Sequence, residues 1–324
     1  MDGREGRRYD ADVFQIPERQ HAKAVAELVP AVAREFLTLP APPSRLPTVR
    51  ALATRHHSSL SSVHLAIKTL EDAGAVEIEV RGRLGAFMIG RSIGRLWLLA
   101  ENGRPLVVAL PLASSLRYEG LATAIKKLLS GPDFEVFLIF VRGSRQRLQA
   151  VHEGRCHLAA MSGFAASELC GPDDSVIVEL PPHTYNTGHR VFYTSAGAEH
   201  NPMTVVIDRD SADQQLLTNL EFNGSGVRLL PAMGVQIARL LAEGHGDAAV
   251  WTIDEMRMRW PDGVLDRPLS PAVQERVDGR DTCAVLVGRT ADAPALRAIT
   301  STLDGTEVER IQMDVMNLRV VPEY

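Results

Sequence analysis

The sequence has only three cysteines in 324 residues, and Cys156, Cys170 and Cys283 share no Cys-x-x-Cys spacing. That favours free thiols in a reducing compartment over a disulfide framework, and it offers no thiolate metal site. No run approaches eighteen apolar residues, so no membrane-spanning helix is expected. The N-terminal stretch MDGREGRRYDADVF is charged and lacks the apolar core of a signal peptide. A soluble, cytoplasmic protein with no membrane partner is the expectation. Catalytic signatures are missing as well. There is no Gly-x-Ser-x-Gly elbow, no His-Glu-x-x-His and no phosphate-binding loop, and the ten histidines show no ligand spacing. No catalytic residue, cofactor or metal is therefore assigned, and the chain is not expected to be an enzyme.

A chain basic throughout is excluded too, because the net charge is −5. The charge is unevenly placed. Residues 1–95 hold 14 Lys+Arg against 11 Asp+Glu, whereas the remainder holds 21 against 29. A mildly basic end beside an acidic body suits nucleic-acid contact confined to that end. The length calls for two or three domains, and an apolar fraction of 45% is enough to give each a core.

The chain is organised around Leu46 to Phe87. Thr48 can cap a helix over Val49–Arg55, with Pro47 fixing the entry. His57 and Ser58 make a turn. Ser59 can cap a second helix that stops at Gly74. Val63, Ala66, Ile67 and Leu70 give that helix one apolar face, and Ser61, His64 and Lys68 fall on another. The period then becomes two: Val76, Ile78 and Val80 alternate with Glu77, Glu79 and Arg81, which predicts a strand. Arg81-Gly82-Arg83-Leu84-Gly85 forms a hairpin tip, and Ala86–Ile89 returns as its partner. Two helices around a tight turn, followed by a basic-tipped hairpin, describe a winged helix-turn-helix.

Leu46-Pro47-Thr48-Val49-Arg50, Leu52-Ala53, Leu70-Glu71, Gly74 and the Arg-Gly-Arg…Gly-x-Phe wing resemble the GntR-type winged helix. Leu60 and Ala51 depart from that pattern, which carries a polar or small residue and an acidic residue at those places. The resemblance implies that the second helix enters the major groove of double-stranded DNA while the wing lies on the backbone or in the minor groove. The DNA-contacting set is Thr48, Arg50, Ser59, Ser61, Ser62, His64, Lys68, Arg81, Gly82 and Arg83.

Residues 1–17 are polar and expected to be a mobile N-terminus, with the winged helix over 18–90. A helical pattern from Glu18 to Leu39 is interrupted by Pro30, which either kinks one helix or separates two. Residues 91–104 read as a connector, but Leu96-Trp97-Leu98-Leu99 is too apolar to hang free. It should dock on a core or at a subunit interface. From Pro105 strands and helices alternate, which predicts an α/β domain with a largely parallel sheet. Strands fall at Leu106–Leu110, Phe134–Val141, His157–Ser162, His189–Ser195, Met203–Asp208 and Thr282–Gly288. Helices fall at Tyr118–Ser130, Ser144–His152, Gln236–Ala242 and Ala293–Asp304.

A faint internal repeat is present. Glu153-Gly154 and Glu243-Gly244 each follow a helix and precede, two residues on, a strand of small residues. Two such units suit two α/β lobes with double crossings near Pro181 and Asp281–Gly288. The predicted architecture is a bilobed, periplasmic-binding-protein-like (type II) domain over 105–324. Lobe 1 takes about 105–181 plus 286–324, and lobe 2 about 182–285. Ala109-Leu110-Pro111, Arg117 to Thr123, Arg142-Gly143 and Asp247–Trp251, following a wing of sequence RGRLG, resemble the YhfZ family. That resemblance implies a transcriptional regulator of this two-part design.

A ligand in such a domain lies in the cleft at the strand C-termini. The loops Ser114–Tyr118 and Arg142–Ser144 pair hydroxyls and helix-start N–H groups with an arginine, which suits an anion. The expected effector-binding set is Ser114, Ser115, Arg117, Tyr118, Arg142, Ser144, Ser162, Asp208, Asp213, Trp251 and Asp254. The reading is a DNA-binding regulator, a homodimer on its operator, whose affinity is controlled by a small anionic metabolite between the lobes. The competing reading is a binding-protein-like enzyme or metabolite-binding protein that keeps a winged helix for assembly.

Overall fold

The computed structural model describes residues 15–199, 203–257 and 261–324, with side chains from Ala24 onward apart from residues 198 and 257. The chain divides into two compact units, residues 1–105 and 106–324.

The first unit is a winged helix. Helix α1 (Gln15–Leu37) runs unbroken past Pro30, at the loss of one ladder hydrogen bond. Val25, Leu28, Val29, Val32, Ala33 and Phe36 form its buried stripe, with Ala26 turned outward. The expected mobile segment 1–17 lies outside the described residues as far as residue 14, and its last three residues already belong to α1. Strand β1 (Ser44–Arg45), α2 (Val49–Arg55), α3 (Leu60–Asp72), β2 (Val76–Val80) and β3 (Ala86–Arg91) follow. Both predicted caps are present: Thr48 accepts from the Ala51 N–H at 3.1 Å and Ser59 from the Ser62 N–H at 3.0 Å. Val63, Ala66 and Leu70 are fully buried against α1 and α2. The sheet order is β1-β3-β2, all antiparallel. β1, two residues long, is too short to show a period in sequence.

The connector is not a linker. It folds as α4 (Ile93–Ala100), capped by Ser92, and packs on α1 with Leu96 and Trp97 buried. The Arg91 guanidinium donates at 2.6 Å to the carbonyl of Leu39, satisfying a polar group just past the end of α1.

The second unit has two sheets of one design. Lobe 1 contains β4 (Val107–Leu110), α5 (Leu116–Leu129), β5 (Phe137–Phe140), α6 (Ser144–His152), β6 (Leu158–Ser162), α7 (Gly163–Leu169) and β7 (Asp174–Glu179). Lobe 2 contains β8 (His189–Thr194), β9 (Thr204–Ile207), α8 (Ala212–Glu221), β10 (Arg228–Pro231), α9 (Ile237–Ala242), β11 (Ala248–Thr252), α10 (Ile253–Arg257), β12 (Val264–Pro268) and α11 (Pro271–Val277). The chain then returns to lobe 1 as β13 (Ala284–Arg289), α12 (Ala293–Ile299) and α13 (Gly305–Met316).

The strand orders are β5-β4-β6-β13-β7 and β10-β9-β11-β8-β12. In each sheet four of the five strands run in one direction and the fourth position is held by a single antiparallel strand. That strand, β8 or β13, is the first one formed after the chain changes lobes. This exchange makes the domain a type II, periplasmic-binding-protein-like fold. The return strand begins at Ala284 rather than near 286. The Glu-Gly repeat marks equivalent places, the turns α6–β6 and α9–β11. Gly154 and Gly244 adopt φ +68° and +70°, a conformation in which any Cβ is strained. The predicted helix Ala293–Asp304 ends at Ile299, and a further helix, α13, begins at Gly305 and packs along α5.

The lobes share apolar packing. Phe164, at the start of α7 in lobe 1, is fully buried among Val191, Leu217, Leu269 and Val273 of lobe 2. Ala212 of lobe 2 sits in the core of lobe 1.

Candidate functional site

In the winged helix, Arg50, Ser61, His64 and Lys68 are exposed, as are Thr48 and the wing residues Arg81, Gly82 and Arg83. Ser62 is a correction. It is buried, and its hydroxyl shares a hydrogen bond of 2.9 Å with Ser59, so it belongs to the cap and not to the outward face. Arg81 is also engaged. Its guanidinium donates at 2.7 and 2.9 Å to Glu79 and lies 4.6 Å from the Phe87 ring centre, which stiffens the wing base. His56 is pinned to Glu35 of α1 at 3.0 Å, which makes it a turn residue. Val80 breaks the predicted inward face of the hairpin, being 77% exposed beside the tip.

In the second unit a cavity opens between the lobes, at the C-terminal ends of the parallel strands. Ser114, Tyr118, Arg142 and Ser144 of lobe 1 line it, opposite Asp208, Asp213 and Trp251 of lobe 2. Four expected residues do not line it. Ser115 and Ser162 are buried caps of α5 and α7. Arg117 donates to Asp254 at 3.3 Å, to the Thr187 hydroxyl at 3.0 Å and to the carbonyl of His183. Asp254 also accepts at 2.6 Å from the N–H and the hydroxyl of Thr187. Arg117 and Asp254 are thus a structural pair at the lobe crossing and not a ligand pair.

Many of the remaining groups meet in pairs across the cleft. Arg142 donates to Asp208 at 2.6 Å, and Asp208 also accepts from the Gly234 N–H at 2.7 Å. Ser114 donates to Glu255 at 2.8 Å. The Ser162 hydroxyl accepts from the Ala165 N–H and donates to Asp213 at 2.5 Å, which joins the N-termini of α7 and α8. Gly143, at φ +80°, brings the start of α6 so close to the carbonyl of Asp210 that a Cβ would lie 2.5 Å from it.

The strongest cationic feature of the cavity had no signal in the sequence. Arg147 is 2% exposed. Its guanidinium donates to the carbonyls of Ala160 (2.7 Å) and Val141 (2.8 Å) and to the hydroxyls of Tyr185 (3.0 Å) and Ser144 (3.1 Å). All four acceptors are neutral, and no carboxylate among the described residues lies within ion-pairing distance. A guanidinium does not lose its proton, so a buried positive charge stands at the cavity wall without a directly bonded carboxylate, and the Asp213 carboxyl acts on it only through space. Arg147 was missed because it sits on the second turn of α6, where arginine commonly lies on a solvated surface. Only the fold turns it inward.

Burial raises the Asp213 carboxyl above the usual range, although His189 and Ser162 act to lower it. Burial likewise raises the Tyr118 and Tyr185 phenols, which stay neutral. His189 hydrogen-bonds Asp281 at 2.7 Å. Burial acts to lower the imidazole pKa, but the Asp281 hydrogen bond and charge outweigh it and the net shift is upward. Among the described residues no group of His, Cys, Asp and Glu could hold a metal ion, and no helix is long and apolar enough to cross a membrane.

A winged helix-turn-helix followed by a bilobed domain with a polar interlobe cavity defines a class, the transcriptional regulators with an effector-binding-type domain. Comparison with known proteins places the chain further. A family model for the YhfZ C-terminal domain matches residues 94–324, and one for a helix-turn-helix domain matches residues 44–88. The chain belongs to the YhfZ family. It is 29% identical over 285 residues to the protein YhfZ of Escherichia coli (strain K12), covering 87% of this chain and 91% of that one. The crystal structure of YhfZ from Shigella flexneri is 27% identical and superposes with a TM-score of 0.56, covering 68% of this chain and 93% of its own.

Proposed function

We propose that the protein is a cytoplasmic transcriptional regulator that binds double-stranded DNA as a homodimer, and that a small anionic effector in the interlobe cavity controls its affinity. The observation that carries the effector reading is Arg147, a buried cation on the cavity wall that meets only neutral acceptors. An anionic group of the ligand supplies the directly bonded anion that Arg147 lacks. Ser144, Arg142 and the N-terminus of α6, which has no side-chain cap, add donors around it. On the DNA side, α3 offers Ser61, His64 and Lys68 to the major groove, and Arg83 meets the backbone from the wing. One winged helix covers few base pairs, and two copies on half-sites about 34 Å apart would read a near-palindrome. Control follows if the effector favours one interlobe arrangement. Coupling of ~1–3 kcal/mol between the two ligands is then reciprocal.

The test is selection of duplex DNA by the purified full chain, followed by affinity measurements with small carboxylates and phosphates added. A selected duplex whose affinity changes with an anion, in the wild type but not in Arg147→Met, is the expected result. Enrichment of no duplex overturns the regulator reading. Anion binding that is indifferent to Arg147 overturns the site.

A further inference from the structure

Two residues that line the same cavity have acceptor capacity left over among the described residues. Asn186 is 1% exposed and donates through its amide nitrogen to the Asp281 carbonyl at 2.9 Å, yet its Oδ1 is buried with no hydrogen-bond partner. An orphaned buried amide oxygen costs on the order of 1–3 kcal/mol, and native structures keep few of them. Asp213 is 5% exposed and accepts from Ser162 through Oδ1 only; no hydrogen bond to its other oxygen is found among the described residues. Among the described residues no Lys or Arg lies within ion-pairing distance of it. Both residues line the cavity that Arg147 lines. The third acid there differs, because Glu255 already accepts from Ser114 at 2.8 Å and from the Trp251 indole at 3.1 Å.

We infer that the effector is a small zwitterion: its anionic group meets Arg147, and a protonated amine donates to Asp213 and to Asn186 Oδ1. This deepens the effector reading above and rests on it. An ammonium has three N–H donors and no acceptor, which matches one buried carboxylate and one orphaned carbonyl oxygen. It also gives Asp213 a hydrogen-bonded cation, where His189 and Arg147 act on it only through space. Tyr118 and Trp251 add aromatic surface to the lining. A simple dicarboxylate or phosphate would answer Arg147 but leave Asn186 Oδ1 orphaned, and it would place like charge beside Asp213.

The experiment is calorimetric titration and thermal unfolding of the full chain with the twenty standard L-amino acids, taurine and phosphoethanolamine. For each binder, the N-acetyl derivative and the compound without the amine are compared. At least one zwitterion is expected to bind and raise the melting temperature, with tenfold or greater loss of affinity when the amine is acetylated or removed. Asp213→Asn should cause a similar loss while keeping the cooperative unfolding transition. The matched ligand pairs decide the question even if that variant does not fold. Equal binding without the amine, full affinity in a folded Asp213→Asn protein, or no binding by any zwitterion overturns the inference. If amine-free anions bind in an Arg147-dependent manner, the anionic-effector reading survives and only the amine is wrong. If neither class binds, both fall.

Discussion

Arg142 and Asp208 meet at 2.6 Å across the cleft, one from each lobe, and the carboxylate is buried while the guanidinium is about one-third exposed. Arg142 also reaches Asp210 at 3.5 Å. The pair closes one edge of the cavity. Arg142→Ala should shift the lobes toward an open arrangement, since Asp208 keeps its Gly234 N–H but loses its tie to lobe 1. A larger radius of gyration by small-angle scattering is expected, with little change in melting temperature. An unchanged scattering profile would show that the other interlobe contacts hold the lobes without this pair.

That packing can be tested directly. Phe164 is fully buried in the core of the opposite lobe, so Phe164→Ala should cost ~3–5 kcal/mol in urea unfolding. A loss below ~1 kcal/mol would mean that the site collapses around the gap or that the lobes separate at little cost.

Trp97 tests the first unit. It is buried between α4 and α1, and Trp97→Ala should destabilise the winged helix by ~3–5 kcal/mol. If residues 93–100 behaved as a free connector, the loss would fall within ~0.5 kcal/mol, the range of ordinary surface changes.

The wing arginines should separate. Arg83→Ala should weaken binding to all duplexes and lower the slope of log affinity against log salt by ~0.9, one phosphate's share. Arg81→Ala should do more than remove one contact, because it also releases Glu79 and uncovers Phe87. Identical salt slopes for wild type and the double variant would remove the wing from the DNA interface.

The His189–Asp281 pair predicts a pH dependence of stability. The folded-state pKa of His189 is raised, so its contribution is fully present below the unfolded value, ~6.5, and is lost as pH rises through the raised value. Asp281 is lowered despite its burial, because His189 hydrogen-bonds it. Its contribution is present above ~3.9 and is lost as pH falls through the lowered value. The pair therefore stabilises most between those two limits. Melting temperatures taken from pH 6 to pH 9 should decline in the wild type and decline less in His189→Gln. Parallel profiles would show that the pair does not titrate in this range.

The local elements were legible because their causes are local. Thr48 and Ser59 start helices because their hydroxyls accept from N–H groups three residues on. The alternation from Val76 sets β2, and the two Glu-Gly turns mark matching places in the two lobes. The cavity position followed from strand order, and the lining includes Tyr118, Arg142, Asp208, Asp213 and Trp251, all expected from the sequence. Tertiary structure decided how each of these groups is partnered. Arg117 and Arg142 read alike, each beside a helix start, yet one is spent on Asp254 at the lobe crossing and the other faces the cavity. Arg147 and Asn186 carried no signal at all. Burial and pairing depend on which side chains residues far apart in sequence bring to the same place, and no local pattern of residue types encodes that.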